Sequence, residues 1–357
     1  MSSSRRRVHG GPLDDELAGL GIDPAAILDF SVSTNPYGPC PAVIECVRVA
    51  AIDRYPDPTS AAVRRALAPG LGCTPAELTL GNGAADLLWT LARALVRPGQ
   101  AVVVVEPTFG ELAAAAATIG ARLCEWRAGE RDGFAIDLDA IAARVTAERA
   151  RLVYLCAPNT PTGAGVAAAE VAVWARALPQ ALVLLDQSFL SLSEAFADAG
   201  VAMPANVIRL RSLTKEHAIP GIRVGYAIAP PEIVALVEAS RPAWTTSSLA
   251  QAAALASTSP PVARFVAESR EKILADRARL ERSLRALGVA PAPSTAGFLL
   301  VPWPRAGELR DRLLRRHQIL VRDCASFGLP GHLRLAARPA ADRERLCDAL
   351  TEEMPRC

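Results

Sequence analysis

The sequence predicts an α/β protein: a large domain with a mostly parallel sheet, followed by a smaller α+β domain at the C-terminus. Between residues 78 and 210, short apolar segments alternate with segments of helical periodicity, which is typical of parallel strands joined by helices. After Pro230 the segments become longer and more charged, and several short strands follow. A chain of 357 residues is long enough for two domains.

Continuous runs of apolar residues predict strands that are buried on both faces of a sheet. Such runs span 78–80, 101–105, 152–156 and 181–185, with a further strand at 121–126 and helices between them. In the C-terminal part we predict helices over 263–287 and 307–317 and from 341, with strands at 298–301, 319–322 and 333–336. We divide the chain into an N-terminal arm (1–40), a large domain (41–245) and a small domain (246–357).

The composition is that of a globular protein without a polyanionic partner. Hydrophobic residues make up 51% and charged residues 21% of the chain, and the net charge is +2. The eight cysteines contain no C-x-x-C pair, so neither a zinc site nor a disulfide framework is expected. The N-terminus lacks the apolar stretch of a signal peptide, and no segment predicts a membrane span. We expect a protein of the reducing cytoplasm.

The segment RSLTKEHAIPGIRVGY at 211–226 carries the strongest functional signal. Apolar residues on both sides predict a strand, a loop that contains Lys215, and a second strand. A lysine in such a loop is available to form an imine when its neighbours lower its pKa. The hydroxyl of Ser212 and the guanidinium of Arg223 are suited to binding a phosphate. Together they indicate pyridoxal 5'-phosphate attached to Lys215, against the alternative of an exposed turn.

Further candidates lie where the predicted parallel strands end, the edge at which such sheets bind ligands. Strand 78–80 leads through a glycine loop into a helix, whose first amides, at Gly83, Ala84 and Ala85, are expected to bind phosphate oxygens. Phe109 is expected either to stack on a flat ring or to belong to the core. Asn159 is expected to donate to the phenolic oxygen of the cofactor, and Asp186 to keep the pyridine nitrogen protonated.

These segments resemble the fold-type I pyridoxal-phosphate enzymes, the aspartate aminotransferase superfamily. Among them, the chain is most similar to threonine-phosphate decarboxylases and to histidinol-phosphate aminotransferases. The resemblance extends over nearly the whole chain and rests on these stretches: HGG at 9–11, DFSVSTNPYGP at 29–39, RYPDP at 54–58, GNGAAD at 81–86, PNTPTG at 158–163, LLDQSF at 184–189, the Lys215 segment, and HLRLAAR at 332–338.

The resemblance implies further roles. It implies that Phe109 lies against the cofactor ring, and it implies a homodimer in which Tyr55 reaches the cofactor phosphate of the neighbouring subunit. Arg334 matches the arginine that holds the substrate carboxylate, while Arg322 and His9 match positions that hold a substrate phosphate. We place Asn35, from the turn-rich segment 35–39, with the substrate-binding residues.

Several residues depart from the family pattern. Gln187 stands where the family has glutamate, and Phe189 where a tyrosine is common. Glu216 and His217 follow the lysine where the decarboxylases have aromatic residues, and Thr160 stands where a second asparagine is usual. Phe189 lacks the tyrosine hydroxyl that family members direct toward the phenolic oxygen of the cofactor. The departures at Glu216, His217 and Thr160 lie near the substrate side and leave the cofactor assignment unchanged.

The leading prediction for the reaction is decarboxylation of an amino acid phosphate such as threonine phosphate. The alternatives are an aminotransferase of the histidinol-phosphate type and an enzyme of specialised metabolism that eliminates or cyclises. A non-catalytic regulator is a further class. It usually carries an added DNA-binding domain, which we do not expect from the residues before Val8.

Overall fold

The structure, a computed structural model, describes residues 10–354. Within that part of the chain the strands are β1 (Leu28–Asp29), β2 (Leu78–Gly81), β3 (Ala101–Glu106), β4 (Arg122–Arg127), β5 (Leu152–Cys156), β6 (Leu182–Asp186), β7 (Val207–Ser212), β8 (Gly225–Ile228), β9 (Phe298–Pro302), β10 (Ile319–Leu320), β11 (Arg322–Asp323) and β12 (His332–Ala336).

The helices of the same part are α1 (Asp14–Leu20), α2 (Pro41–Arg48), α3 (Ala61–Leu71), α4 (Ala84–Leu95), α5 (Glu111–Ile119), α6 (Leu138–Ala147), α7 (Ala168–Arg176), α8 (Leu213–Glu216), α9 (Pro231–Ala239), α10 (Ser248–Ala256), α11 (Pro260–Ala286), α12 (Ala306–His317) and α13 (Ala340–Glu353). None of the helices between residues 10 and 354 combines the length and the apolar character that crossing a membrane requires.

The main sheet has seven strands in the order β2-β8-β7-β6-β5-β3-β4. The pairs from β7 to β4 are all parallel, and β8 runs antiparallel to both of its neighbours. The predicted, mostly parallel sheet is therefore confirmed. Its central strands are buried on both faces, with α4, α5 and α9 packed on one side and α6 and α7 on the other. The carboxyl ends of β3, β5, β6 and β7 consequently meet at one edge of the sheet.

A second sheet lies in the C-terminal part, with antiparallel strands in the order β11-β12-β9. Helices α11, α12 and α13 pack against it and enclose an apolar cluster that includes Leu299, Leu309 and Leu346. The segment before α2 joins this part, because β1 pairs in parallel with β10. This sheet brings Arg322 and Arg334 opposite each other on adjacent strands.

Two predicted elements differ in detail. The strand expected over 319–322 is interrupted at Val321, since β10 pairs with β1 whereas β11 pairs with β12. Lys215 was predicted in a loop but lies on α8, a single helical turn that begins directly after β7. The two strands around it were predicted correctly.

Candidate active site

Lys215 sits at the carboxyl end of β7, with its side chain directed inward. Its Nζ lies 4.5 Å from the centroid of the Phe189 ring. Burial lowers the pKa of Lys215 below its ordinary value, and the attraction of the Asp186 carboxylate opposes this only in part. The folded protein therefore favours the neutral amine more than water does, and the neutral amine is the nucleophilic form.

The carboxylate of Asp186 is buried at the end of β6 and is held by two donors. The hydroxyl of Tyr154 donates to Oδ2 over 2.8 Å, and the backbone amide of Ser188 donates to Oδ1 over 2.9 Å. Burial, together with the neighbouring carboxylate, raises the pKa of Tyr154 well above its ordinary value, so the tyrosine remains a donor. These two hydrogen bonds fix the orientation of the Asp186 carboxylate at the end of β6.

Tyr154 was missed in the sequence because an aromatic residue inside a buried strand is typical of an apolar core. The available signal was strand alternation: Tyr154 and Cys156 are two residues apart on β5, and Cys156 pairs with Asp186. These three side chains therefore share one face of the sheet.

The predicted phosphate-binding residues converge at the start of α4. Gly83 precedes the helix with φ +83°, and a Cβ placed there would lie 2.6 Å from Nη2 of Arg223. Gly225 is equally constrained, because its added Cβ would lie 2.8 Å from the amide nitrogen of Ala84. Ser212 pairs with Gly225 across β7 and β8. The guanidinium of Arg223 lies so close to Gly83, and the backbone of Ala84 so close to Gly225, that a side chain at either glycine would clash.

One of the three predicted amides is already engaged. The N–H of Gly83 donates to the carbonyl of Gly81 over 2.8 Å. The amides of Ala84 and Ala85 belong to the first turn of α4, where N–H groups have no partner within the helix. Helix α4 has 12 residues, so its dipole adds to the attraction for an anion.

Asn159 occupies the predicted edge but uses its amide within the protein. Its Nδ2 donates to the carbonyl of Pro107 over 2.8 Å and to Oγ1 of Thr162 over 2.9 Å. Its Oδ1 accepts from the hydroxyl of Thr108 over 2.9 Å. Both amide hydrogens are therefore occupied, in contrast to the predicted donation to a ligand. Phe109 is partly buried and packs against the core beside α4, and its contact with the cofactor ring stays a prediction.

Arg322 and Arg334 face each other across β11 and β12, so both side chains lie on one side of the small sheet. Arg334 donates from Nη1 to Oγ1 of Thr160 over 2.6 Å and from Nη2 to the carbonyl of Ser31 over 2.5 Å. Burial lowers the pKa of Arg334 to about 10 and also lowers that of Arg322. Two neighbouring buried cations attract a shared anion strongly.

Two phenylalanines connect Arg334 with Lys215. The Phe189 ring, which lies under Nζ of Lys215, meets Phe298 edge to face with 5.0 Å between centroids. The guanidinium of Arg334 lies 5.2 Å from the centroid of Phe298. The amine and the buried arginine therefore border the same space.

The remaining predicted residues are more peripheral. The backbone amide of Asn35 donates to the carbonyl of Lys215 over 2.8 Å, and its Nδ2 donates to the carbonyl of Glu216 over 3.0 Å. Asn35 thus stabilises the helical turn of Lys215 by donating to two backbone carbonyls of that turn. Tyr55 lies on the surface with 77% of its area exposed and stacks on Trp244. His9 is outside the described residues.

The departures from the family pattern form a buried polar group behind the lysine. Oε1 of Gln187 accepts from Nε of Arg211 over 2.9 Å, so the glutamine keeps a bond to this arginine. Nε2 of His217 lies 3.3 Å from Oε1 of Glu216. Burial acts to raise the pKa of Glu216, but His217, Ser191 and Arg211 outweigh it and keep the pKa below its ordinary value.

A cavity of about 340 Å³ adjoins Arg322 on the side of the N-terminal segment. Gly10, Gly11 and Ser31 line it together with Arg322 and residues of α12. The cavity is large enough to admit part of a small ligand.

The chemistry of this donor set fits pyridoxal 5'-phosphate. Lys215 supplies an amine of lowered pKa, and Asp186 supplies a carboxylate that two donors hold in place. The absence of side chains at Gly83 and Gly225, which we call the cradle, allows a phosphate to approach the backbone closely, and Arg223 lies beside it.

Comparison with known proteins supports this interpretation. Residues 25–350 match the model of the family "Aminotransferase class I and II". The histidinol-phosphate aminotransferase 2 of Ralstonia nicotianae is 36% identical over 343 residues, covering 92% of this chain and 89% of the relative. That of Anaeromyxobacter is 33% identical over 352 residues, covering 96% of this chain and 94% of the relative.

Solved structures agree on the fold. Histidinol-phosphate aminotransferase from Sinorhizobium meliloti, solved with pyridoxal-5'-phosphate, superposes with a TM-score of 0.86 at 28% identity, covering 99% of this chain and 96% of that one. Aspartate aminotransferase from Thermus thermophilus gives a TM-score of 0.83 at 23% identity, covering 95% and 94%. L-threonine-O-3-phosphate decarboxylase from Porphyromonas gingivalis gives 0.73 at 24% identity, covering 87% and 93%, and shares the fold.

The predicted aspartate-aminotransferase-like fold is therefore confirmed. Of the two reactions foremost in the sequence analysis, amino transfer has the closer support, since the relatives above 30% identity described here are aminotransferases. The chain belongs to the class I and II aminotransferase family, and it is a pyridoxal-phosphate-dependent enzyme.

Proposed function

We propose that this enzyme is an aminotransferase that takes the amino group from an amino alcohol phosphate of the histidinol-phosphate type and passes it to a 2-oxo acid. The observation that carries the proposal is the pair of buried guanidiniums at Arg322 and Arg334 on one side of the small sheet. A phosphate dianion has the charge and the oxygen geometry to bind both. The similarity to histidinol-phosphate aminotransferases supports the same substrate class.

The two arginines suit both halves of an amino-transfer reaction. Histidinol phosphate has a phosphate but no carboxylate, so in this proposal both guanidiniums contact its phosphate. A 2-oxo acid has a carboxylate in place of the phosphate, and the buried fork of Arg334 suits it. In this proposal Arg334 is a general anion-binding residue, whereas decarboxylation would require it to hold the carboxylate that is lost.

The cofactor, when bound, supplies the electron sink that stabilises negative charge at the substrate α-carbon. Lys215 is the group that moves the α-proton, because its neutral amine is favoured by burial. Asp186, held by Tyr154 and Ser188, would be the carboxylate that pairs with the ring nitrogen of the cofactor. The amides of Ala84 and Ala85, with Ser212 and Arg223, hold the cofactor phosphate.

We further propose that the enzyme is a homodimer in which Tyr55 completes the neighbouring site. Large apolar side chains are exposed close together in sequence at Val49 (75%), Ile52 (83%) and Tyr55 (77%), and Trp244 (47%) stacks on the last of them. Several large exposed apolar side chains in one segment favour association. Light scattering after size-exclusion chromatography is expected to give twice the mass of 37.6 kDa, and a monomer at micromolar concentration would contradict the dimer.

The remaining organisation is proposed on the same basis. The arm (1–40) joins the small domain through β1 and contacts the lysine turn through Asn35. The domain boundaries near residues 40 and 245 remain part of this proposal. The seven cysteines within residues 10–354 are all free thiols, which supports a cytoplasmic location.

The reaction is tested by supplying one substrate pair and, separately, threonine phosphate to the purified enzyme with cofactor. With histidinol phosphate and 2-oxoglutarate we expect glutamate to form without carbon dioxide. With threonine phosphate we expect no carbon dioxide. Gas release from threonine phosphate without glutamate formation from histidinol phosphate would contradict the proposal and favour the decarboxylase.

A further inference from the structure

We propose that Glu216 is a positioning residue whose carboxylate balances the buried charge of Arg211 and thereby holds the turn of Lys215 against the loop after β6. Arg211 donates to Gln187, which carries no charge, so the counter-charge comes from another residue. The inference concerns how the protein holds the cofactor-binding lysine, and it does not depend on the substrate of the enzyme.

Arg211 is a buried cation with a neutral hydrogen-bond partner. It lies on β7 with 6% of its area exposed, and its Nε donates to Oε1 of Gln187 over 2.9 Å. Gln187 is itself only 5% exposed. A buried cation without a counter-charge is costly, because it has lost its hydration and gained no opposite charge. The environment of Arg211 therefore requires a carboxylate outside this hydrogen bond.

Glu216 supplies a carboxylate in the same interior. Its side chain is 14% exposed, and Nε2 of His217 lies 3.3 Å from its Oε1. Burial acts to raise the pKa of this carboxylate, but His217, a hydrogen bond from Ser191 and the charge of Arg211 together keep the pKa below its ordinary value. The carboxylate is therefore ionised at neutral pH although it is buried.

The ring of Tyr226 indicates that the two charges lie close together. Tyr226 pairs with Arg211 across β7 and β8 and is buried. Burial raises the pKa of Tyr226, the charge of Arg211 opposes this rise, and the charge of Glu216 adds to it. Both charged groups thus act on one buried ring, and in an interior of low dielectric they attract each other more strongly than in water.

The attraction links two sides of the cofactor site. Gln187 directly follows Asp186, so the bond from Arg211 steadies the loop that presents this carboxylate. Glu216 directly follows Lys215 on α8. The opposite charges of Arg211 and Glu216 consequently draw the turn that carries the lysine toward the loop after β6.

The same two positions are among those at which the chain departs from its family. Position 187 carries an amide where the family has a carboxylate, and position 216 carries a carboxylate where the decarboxylases have an aromatic residue. One negative charge near Arg211 is thus kept while its position differs. The proposal is testable for this reason, because the charge can be moved from one position to the other.

The test is a cycle of variants that preserve side-chain shape. Glu216→Gln removes the charge, Gln187→Glu places a charge on the group that already accepts from Arg211, and the double variant combines them. Glu238→Gln is the matched control, because it removes a carboxylate that contacts another arginine, Arg241, at the end of α9. Urea unfolding of the apoprotein reports stability, and fluorescence titration with pyridoxal phosphate reports how well the cofactor site is formed.

Glu216→Gln is expected to raise the unfolding equilibrium constant roughly a hundredfold, near the lower end of the effect of removing one partner from a buried ion pair. Its Kd for pyridoxal phosphate should rise roughly tenfold, as for one weakened hydrogen bond to a charged group. Adding Gln187→Glu should lower the unfolding constant again by about tenfold, a coupling usual between interacting residues, and should recover most of the cofactor affinity. In the Glu238→Gln background the same addition should recover neither.

A double variant no more stable than Glu216→Gln would overturn the proposal, as would an equal gain from Gln187→Glu in the Glu238→Gln background. Wild-type stability of Glu216→Gln would overturn it too. Loss of stability with an unchanged Kd for the cofactor would reject the positioning role. If Glu216→Gln yields no folded protein, folded and cofactor-binding enzyme in the double variant supports the proposal, and an unfolded double variant contradicts it.

Discussion

Replacing Gly83 with alanine is expected to impair cofactor binding through a defined clash. Gly83 has φ +83° and ψ 166°, a region that essentially only glycine adopts, and an L-residue there costs about 1–3 kcal/mol. The new Cβ would lie 2.6 Å from Nη2 of Arg223, so the guanidinium has to move. Losing its bond to a phosphate costs about 1.5–3 kcal/mol, which is about a tenfold to hundredfold rise in the Kd for pyridoxal phosphate.

The assay is a fluorescence titration of the apoprotein with pyridoxal phosphate, alongside urea unfolding of the apoprotein. Gly110→Ala is the matched control, because Gly110 likewise precedes a helix after a strand of the main sheet, but its φ is −76° and an added Cβ there meets no atom within 4 Å. We expect Gly110→Ala to bind the cofactor with wild-type affinity. Gly83→Ala should lose both cofactor affinity and stability to urea. Equal cofactor affinity in the two variants would refute the cradle at Gly83.

Three other predictions concern single groups. Burial lowers the pKa of Lys215, so at neutral pH the unfolded chain binds the proton more readily than the folded one. The Lys215→Met apoprotein should therefore be more stable to urea than wild type, by a difference that shrinks as the pH rises toward the ordinary pKa of lysine. A difference in stability that does not change with pH would contradict this. Arg334→Lys removes the planar fork and should raise KM for histidinol phosphate about tenfold to hundredfold with unchanged cofactor affinity; equal loss of both would assign Arg334 to the cofactor. If Tyr55 serves the partner's site, mixing inactive Lys215→Ala with impaired Tyr55→Ala should regain activity as hybrid dimers form, and no gain after subunit exchange would place Tyr55 elsewhere.

The main sheet was predictable because its central strands are continuous apolar runs, and such runs identify strands buried on both faces. The edge at which the site lies followed from the same pattern, since side chains that end parallel strands meet there. Asp186 was predicted in this way, whereas Lys215 was predicted from the strand, loop and strand pattern of residues 211–226. The helical turn that carries Lys215 was not predicted, because its four residues are far fewer than the roughly 11 to 18 over which helical periodicity can be read.

What the sequence left open depends on contacts between distant residues. The sequence does not show that the side-chain amide of Asn159 donates to Pro107 and Thr162, so this group was expected to donate to the cofactor. The hydrogen bonds of Tyr154 and Thr160 involve partners 32 and 174 positions away, and both residues resemble ordinary members of a buried strand and a turn.

The central claim is that Lys215 forms the covalent bond to the cofactor. The chain has only two lysines, Lys215 and Lys272. Lys272 is on α11, and its side chain lies over the ring of Tyr37. Borohydride reduction of the enzyme saturated with pyridoxal phosphate, followed by peptide mass spectrometry, distinguishes them in one measurement. We predict the reduced adduct on Lys215, in the wild type and in Lys272→Arg alike. An adduct on Lys272, or an unmodified Lys215 in saturated protein, would contradict the assignment.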